Sequence, residues 1–277
     1  MASVTLFQPH VVQPVKGDVM TTSILVTGGT GTLGRPVAQR LRDAGASVTV
    51  LSRHPRGTAE GIRYTAGDLS TGEGIEAAVR GAEVIVHCAG SSKGDEQKTR
   101  TLVSAAKDAR HIVLISVVGA DRIPQVSAID RALFGYFGMK LATERVVEQC
   151  GIGWTTLRAT QFHDLILMVA RALAKLPVIP VPTGSRFQPV DATEVAQRMA
   201  ELAIGEPSGL APDLAGPKIY TVAELVNSYL SAVGKRRPLA PVHIPGQAAR
   251  ALRAGANLAP DRAVGKRTWE EFLADRI

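Results

Sequence analysis

The 277-residue chain is poor in aromatic residues: six Phe, four Tyr and two Trp make up 4% of it. It has two cysteines, Cys88 and Cys150, far apart and each following an apolar stretch. Without a secretory context such thiols are expected to be reduced and buried, and a disulfide scaffold is excluded. No stretch reaches the ~18 consecutive apolar residues that span a bilayer. The most apolar window, 162–182, is interrupted by His163, Asp164, Arg171 and Lys175. Residues 1–20 lack the apolar segment of a signal peptide and read as a loose extension, with Met20 an alternative start. The expected location is the cytoplasm. His10, His54, His87, His111, His163 and His243 are scattered without metal-ligand spacing, so no metal site is expected. No Gly-x-Ser-x-Gly elbow is present, which leaves hydrolase chemistry unsupported.

With 45% hydrophobic and 21% charged residues, 27 Gly and 16 Pro, the composition is that of an ordinary globular protein. The length fits one large domain, or one with a smaller appendage. The net charge is +7, and the segment 235–267 carries all of it: Lys235, Arg236, Arg237, Arg250, Arg253, Arg262, Lys266 and Arg267 against Asp261. Aromatics are sparse there and no nucleic-acid motif is present, so nucleic acid is not an expected partner. The segment reads as a solvated basic face, with a site for acidic ligands as the alternative.

Strand and helix patterns alternate through the first part of the chain. Strands are expected at 23–26, 47–51, 62–66, 83–88 and 111–116, the last two as unbroken apolar runs of the kind buried on both faces. Helices are expected at 32–44, closed by Gly45, and near 75–80 and 96–109. A loop over 120–130, a long helix over 131–149 and a strand over 154–158 follow. Beyond residue 161 the rhythm is lost among prolines. The expected fold is α/β: a Rossmann-like, doubly wound parallel sheet over 21–160, with a small C-terminal substrate-binding portion over 161–277.

The strongest motif is Thr27-Gly28-Gly29-Thr30-Gly31-Thr32-Leu33-Gly34, directly after a strand and opening a helix. In that context Gly28 permits a tight turn, Gly31 lets the backbone approach a pyrophosphate, and Gly34 allows close packing. Unpaired N–H groups at the helix start favour the anion. No Gly-Lys-Ser/Thr tail follows, so a P-loop NTPase is excluded. The second strand ends Leu51-Ser52-Arg53-His54 without the carboxylate an NAD site places there. Arg53 is suited to a 2′-phosphate, so NADP(H) is expected in preference to NAD(H).

Tyr136 and Lys140, four residues apart, share a helix face. A lysine ammonium beside a phenol is expected to lower its pKa and fit it for proton transfer to a carbonyl oxygen. Taken with the glycine motif, these residues resemble the short-chain dehydrogenase/reductase superfamily, in its atypical NmrA-like branch of NAD(P)-binding proteins. The resemblance extends to Gly67-Asp68-Leu69, His87-Cys88-Ala89-Gly90 and Thr156-Leu157-Arg158-Ala159-Thr160-Gln161-Phe162. It implies cofactor contacts from Thr30, Thr32 and Leu33 in the glycine turn. It implies Asp68 and Leu69 near adenine, Ala89, Gly90 and Lys140 at the nicotinamide ribose, and 159–162 near nicotinamide.

The chain departs from that pattern after the fifth strand, where it reads Ser116-Val117-Val118. The resemblance places the hydroxyl that serves a substrate carbonyl nearer Val118, leaving open whether Ser116 or no hydroxyl does so. His163 and Asp164 are further candidates for substrate contact, with Asp164 as a helix cap the alternative. Two functions are expected to compete. One is hydride transfer between NADPH and a small carbonyl or quinone-like substrate, with Tyr136 as acid/base, Lys140 assisting and Ser116 as the third candidate. The other is an NADP(H)-sensing regulator without turnover, acting through a protein partner.

Overall fold

The computed structural model describes residues 21–54, 57–90 and 94–277, so the extension assigned to 1–20 lies outside the described residues. The first half runs β1 (Ser23–Thr27), α1 (Gly34–Asp43), β2 (Ser47–Ser52), β3 (Arg63–Ala66), α2 (Ile75–Val79), β4 (Val84–His87), α3 (Asp95–Ala105), β5 (His111–Val117), α4 (Ala128–Glu148) and β6 (Gly153–Ala159). The second half runs α5 (His163–Leu173), β7 (Ile179–Pro182), β8 (Arg186–Phe187), α6 (Ala192–Ile204), β9 (Gly209–Leu210), β10 (Tyr220–Thr221), α7 (Val222–Ala232), β11 (Leu239–Val242), α8 (Gln247–Arg253) and α9 (Trp269–Ala274).

Seven strands pair in parallel in the order β3-β2-β1-β4-β5-β6-β9. The chain winds outward from β1 to β3, then crosses back to β4 and winds outward the other way, giving the expected Rossmann-like sheet. Alternate strand residues feed two cores. Ile24, Val26, Val50 and Val86 pack with α1 and α6, while Leu25, Ile85, Ile112 and Leu114 pack with α2 and α3. Both faces are therefore apolar, which is why these strands read as unbroken runs. Burial of each large aliphatic side chain stabilises the fold by roughly 1.5–3 kcal/mol.

On α1, Val37, Ala38 and Leu41 form the buried stripe, and on α6 it is Val195, Ala196, Met199 and Ala203. The alanines let the two helices approach over one sheet face. Helix α4 begins three residues before the expected start. The Ser127 hydroxyl accepts the Asp130 N–H, and the Asp130 carboxylate accepts the Ser127 N–H, both at 3.0 Å. That reciprocal cap, and not apolar periodicity, fixes the first turn.

Two elements from beyond residue 160 belong to this sheet layer: α6 covers it, and β9 extends it beside β6. The Thr160 N–H donates to the Leu214 carbonyl at 3.0 Å, tying the end of β6 to the returning chain. A third core joins α5, α7 and α9 to β7, and it buries Tyr220, Trp269 and Phe272. The Trp269 indole donates to the Leu225 carbonyl at 3.1 Å. Helices α1 and α3 follow adjacent strands, β1 and β4, but leave toward opposite faces. The ends of those strands therefore open a crevice at the point where the winding reverses.

Candidate cofactor and active site

The glycine turn forms one wall of the crevice. Gly28 has φ +68°, and a Cβ there would lie 2.6 Å from the Ala89 nitrogen. A Cβ on Gly34 would come within 2.2 Å of the Gly28 oxygen, whereas one on Gly31 would meet only that oxygen, at 3.3 Å. The protein's own backbone thus demands glycine at 28 and 34. At 31 the space beside the backbone is open. Gly29, which the motif did not single out, is also required, since its Cβ would press 2.7 Å from the Val50 methyls. Helix α1 has no side-chain cap and no acid in its first turn, so no side chain competes with an anion there, although Arg35 and Val37 already donate to the Gly31 and Leu33 carbonyls at 3.2 Å and Pro36 has no N–H.

A cleft of about 380 Å³ follows the turn on one side. Of the expected cofactor residues, Gly28, Thr30, Gly31, Arg53, Asp68, Leu69, Ala89 and Gly90 line it together. Lys98 of α3 lines it too, a cation that no motif announced. The Ser70 N–H donates to the Asp68 carboxylate at 2.7 Å, and this bond, with the Arg53 and Lys98 charges, holds that carboxyl below its usual range. With Arg53 exposed at the rim and no carboxylate closing β2, Arg53→Ala is expected to weaken NADPH binding roughly 10- to 100-fold. NADH binding should stay unchanged. Fluorescence titration with both cofactors checks this, and equal losses for the two would assign Arg53 no role in selection.

A second cavity, of about 610 Å³, opens on the other side of the turn. Thr32, Leu33, Gly34, Ser116, Tyr136, Lys140 and residues 159–162 line it, with Ile115, Val117 and Leu165 completing a mostly apolar wall. Three of its side chains are buried without hydrogen-bond partners among the described residues: Ser116 at Oγ, Thr160 at Oγ1 and Gln161 at both amide atoms. Buried polar groups left unpaired cost about 1–3 kcal/mol each, so these atoms call for a water or a ligand. Val118, where the resemblance puts a hydroxyl, is fully buried with Ala215 and Ala259 and is absent from the cavity wall. Ser116 is the hydroxyl that β5 delivers there.

The Tyr136–Lys140 pair differs from expectation in its electrostatics. Lys140 is buried, and its Nζ lies 3.5 Å from a carboxylate oxygen of buried Asp95, while standing 5.9 Å from the Tyr136 ring centre. Tyr136 lies at the cavity mouth, 47% exposed. Desolvation by the surrounding protein, followed by the Asp95 charge, pushes its phenol up to about 12. The expected lowering by Lys140 is therefore overturned: the ammonium is directed at Asp95, 45 residues away and unreadable from the Tyr/Lys spacing. His163 also departs from its expected role. It is fully buried, its Nε2 lies 3.1 Å from the Arg267 carbonyl, and it stacks on Phe272 and Trp269. It belongs to the C-terminal core. Asp164 makes no side-chain cap, and Phe162 holds the cap position of α5.

His87 braces the crevice from below. Thr99 donates its hydroxyl proton to the Asp95 carbonyl at 2.8 Å, so the imidazole must donate from Nε2 to Thr99 Oγ1 at 3.0 Å. Nδ1 then accepts from the Thr27 hydroxyl at 2.6 Å. Burial, reinforced by Lys140, lowers the imidazole pKa to about 4. The folded state thus refuses a proton that the unfolded chain takes up below its ordinary value of 6.5, so stability falls as the pH drops from 6.5 toward 4. The loss approaches about 3 kcal/mol by linkage. Urea unfolding at several pH values should show this slope, and His87→Gln should reduce it, leaving the part contributed by His111 and His163, whose pKa values burial also lowers. Burial also pushes the neighbouring Cys88 thiol up to about 12, which makes it a packed wall group and no nucleophile.

Among the described residues no group of three or more His, Cys, Asp or Glu could hold a metal ion, and no helix is long and apolar enough to cross a membrane. A reversing parallel sheet, an uncapped helix start over a glycine turn, and a cation where β2 ends define a dinucleotide-binding protein. The chain belongs to the NAD(P)H-binding family, whose model matches residues 28–174. It is 28% identical over 225 residues to (4-alkanoyl-5-oxo-2,5-dihydrofuran-3-yl)methyl phosphate reductase of Streptomyces griseus, covering 78% of this chain and 75% of that protein. It is 28% identical over 221 residues to NAD(P)H azoreductase of Xenophilus azovorans, covering 76% and 74%. The fold matches the NADPH complex of an NADPH-dependent quinone oxidoreductase from Escherichia coli, with TM-score 0.76, 19% identity and coverage of 91% and 99%.

Proposed function

We propose that this protein reduces an apolar, quinone-like acceptor or a small carbonyl compound with NADPH. The observation that carries this reading is the apolar second cavity, which adjoins the glycine turn and gathers Tyr136, Lys140, Ser116 and Gln161. The turn, the start of α1 and Arg53 would hold NADPH, which supplies hydride when bound. Tyr136, kept protonated by its raised pKa, donates its hydroxyl proton to the acceptor oxygen. Lys140, whose Nζ would lie 3.5 Å from a Cβ on Gly90, would contact the ribose beside the nicotinamide. Ser116 offers a second hydrogen bond to the same acceptor oxygen. Quinones are favoured over simple ketones because hydride addition to a quinone yields a delocalised anion that needs less donor assistance.

The test is anaerobic stopped-flow mixing of protein and NADPH with a panel of quinones and small ketones, followed in the reduced-nicotinamide absorbance band. Rapid oxidation by quinones supports the reading. Tight NADPH binding with no oxidation by any acceptor would favour a second one, a cofactor-sensing regulator. The Asp95–Lys140 ion pair supports that alternative, because it draws the ammonium away from the phenol.

A further inference from the structure

Helix α5 is apolar on both sides. Its inner side buries Ile166, Leu167 and Ala170. Its outer side presents Leu165, Met168, Val169 and Ala172, a single stripe at helical spacing, with Met168 61% and Val169 45% exposed. A surface helix ordinarily turns a polar face to water, so a second apolar stripe marks a face that something covers. Exposed Leu176 and Val178 continue the stripe toward β7.

Beyond the first turn of α5, the charge in the segments that carry and border this stripe has one sign. No Asp or Glu occurs from 165 to 190 or from 225 to 260. Exposed Arg171 on α5 and exposed Lys175 in the turn that follows it flank the stripe. The Ile179 N–H donates to the Pro238 carbonyl at 2.9 Å, so the exposed run Lys235, Arg236 and Arg237 enters β11 next to the segment that carries Leu176 and Val178 into β7. Asp164, at the far end of α5, faces Arg276 at 3.8 Å.

We propose that this face docks on an anionic lipid surface. An apolar stripe bordered by five cations matches the interfacial helix pattern, with apolar side chains entering the acyl boundary and cations meeting lipid phosphates. A second copy of the chain fits less well, since the same cations would face one another across a two-fold axis. Because Leu165 lines both the stripe and the second cavity, docking would bring the cavity mouth to the lipid. In combination with the proposed reductase reading, the acceptor would then be a lipid-soluble one. The docking itself does not depend on that reading.

The experiment is co-sedimentation of the full chain, without cofactor, with phosphatidylcholine vesicles and with vesicles containing phosphatidylglycerol. Binding to the anionic vesicles alone, reversed by high salt, is expected. Replacing Lys235, Arg236 and Arg237 together by Ala should weaken it on the order of 100-fold, at about five-fold per charge. Met168→Glu with Val169→Glu should abolish it while NADPH affinity, measured in parallel to confirm folding, is unchanged. No binding at low salt overturns the proposal, as does binding that survives both sets of substitutions. A dimer in solution that Met168→Glu dissociates also overturns it, by assigning the stripe to a second copy. Vesicle binding with no NADPH oxidation by any quinone or ketone of the panel would leave the docking established and count against the reductase reading alone.

Discussion

Tyr136→Phe is expected to lower NADPH oxidation by the best acceptor by roughly 100- to 10,000-fold, the usual worth of a positioned general acid. NADPH affinity should be unchanged, because Tyr136 lines the second cavity and is absent from the cleft lined by Arg53 and Asp68. The pH dependence gives a second reading. A phenol near 12 remains the proton-carrying form through neutral and moderately basic pH. Reduction should therefore show no loss attributable to this group until strongly alkaline solution. Asp95→Asn removes a charge that raises the phenol, so the alkaline fall should move to lower pH. A Tyr136→Phe protein within threefold of the unaltered rate would remove Tyr136 from the chemistry.

Two glycine substitutions separate what the turn does for the fold from what it does for the ligand. Gly34→Ala puts a methyl 2.2 Å from the Gly28 oxygen and 2.8 Å from the Gly29 Cα, both backbone atoms that cannot swing aside. Helix α1 must shift, at a cost of about 1–3 kcal/mol from overpacking. A displacement near 1 Å should lower cofactor affinity by roughly 100-fold, by analogy with misplaced catalytic groups. Gly31→Ala meets only one protein atom, at 3.3 Å, so thermal unfolding should hardly change. Its methyl nevertheless occupies the side left for the pyrophosphate, so NADPH affinity should fall while stability holds. Calorimetry and fluorescence titration of both variants read the two quantities independently. Equal destabilisation by the two would refute the distinction.

Much of this architecture is legible because it is written locally. The β1–turn–α1 unit announces itself through three glycines at fixed spacing, and the buried strands through runs apolar on both faces. Arg53 is legible from the absence of a carboxylate at the end of β2. Less accessible are the features that depend on residues far apart. Two-residue strands such as β9 have no periodicity to detect, so the return of the chain to the sheet is invisible before folding. The pairing of Lys140 with Asp95 changes the electrostatics around Tyr136, and the four-residue spacing of Tyr136 and Lys140 conveys nothing of it. Gln161 stood within a segment implied to contact the nicotinamide. Its importance lies in what the cavity denies it, a partner for either amide atom, and no pattern of neighbours in sequence conveys that. The early start of α4 is the exception: Ser127 and Asp130 spell a cap three residues apart, a signal present in the sequence and outweighed by the apolar spacing.

The reach of α6 and β9 back onto the sheet bears on how the chain matures during synthesis. When residue 160 leaves the ribosome, β1 to β6 have all emerged, yet the face of the sheet beside α1 still lacks Val195, Ala196 and Met199. About 50 more residues must follow before β9 arrives, which takes roughly 3–10 s at ordinary rates of elongation. For that interval the nascent chain carries a bare apolar surface on a nearly complete sheet. It is then a natural client for chaperones that bind near the exit tunnel, and slow codons placed soon after residue 160 would prolong the exposure.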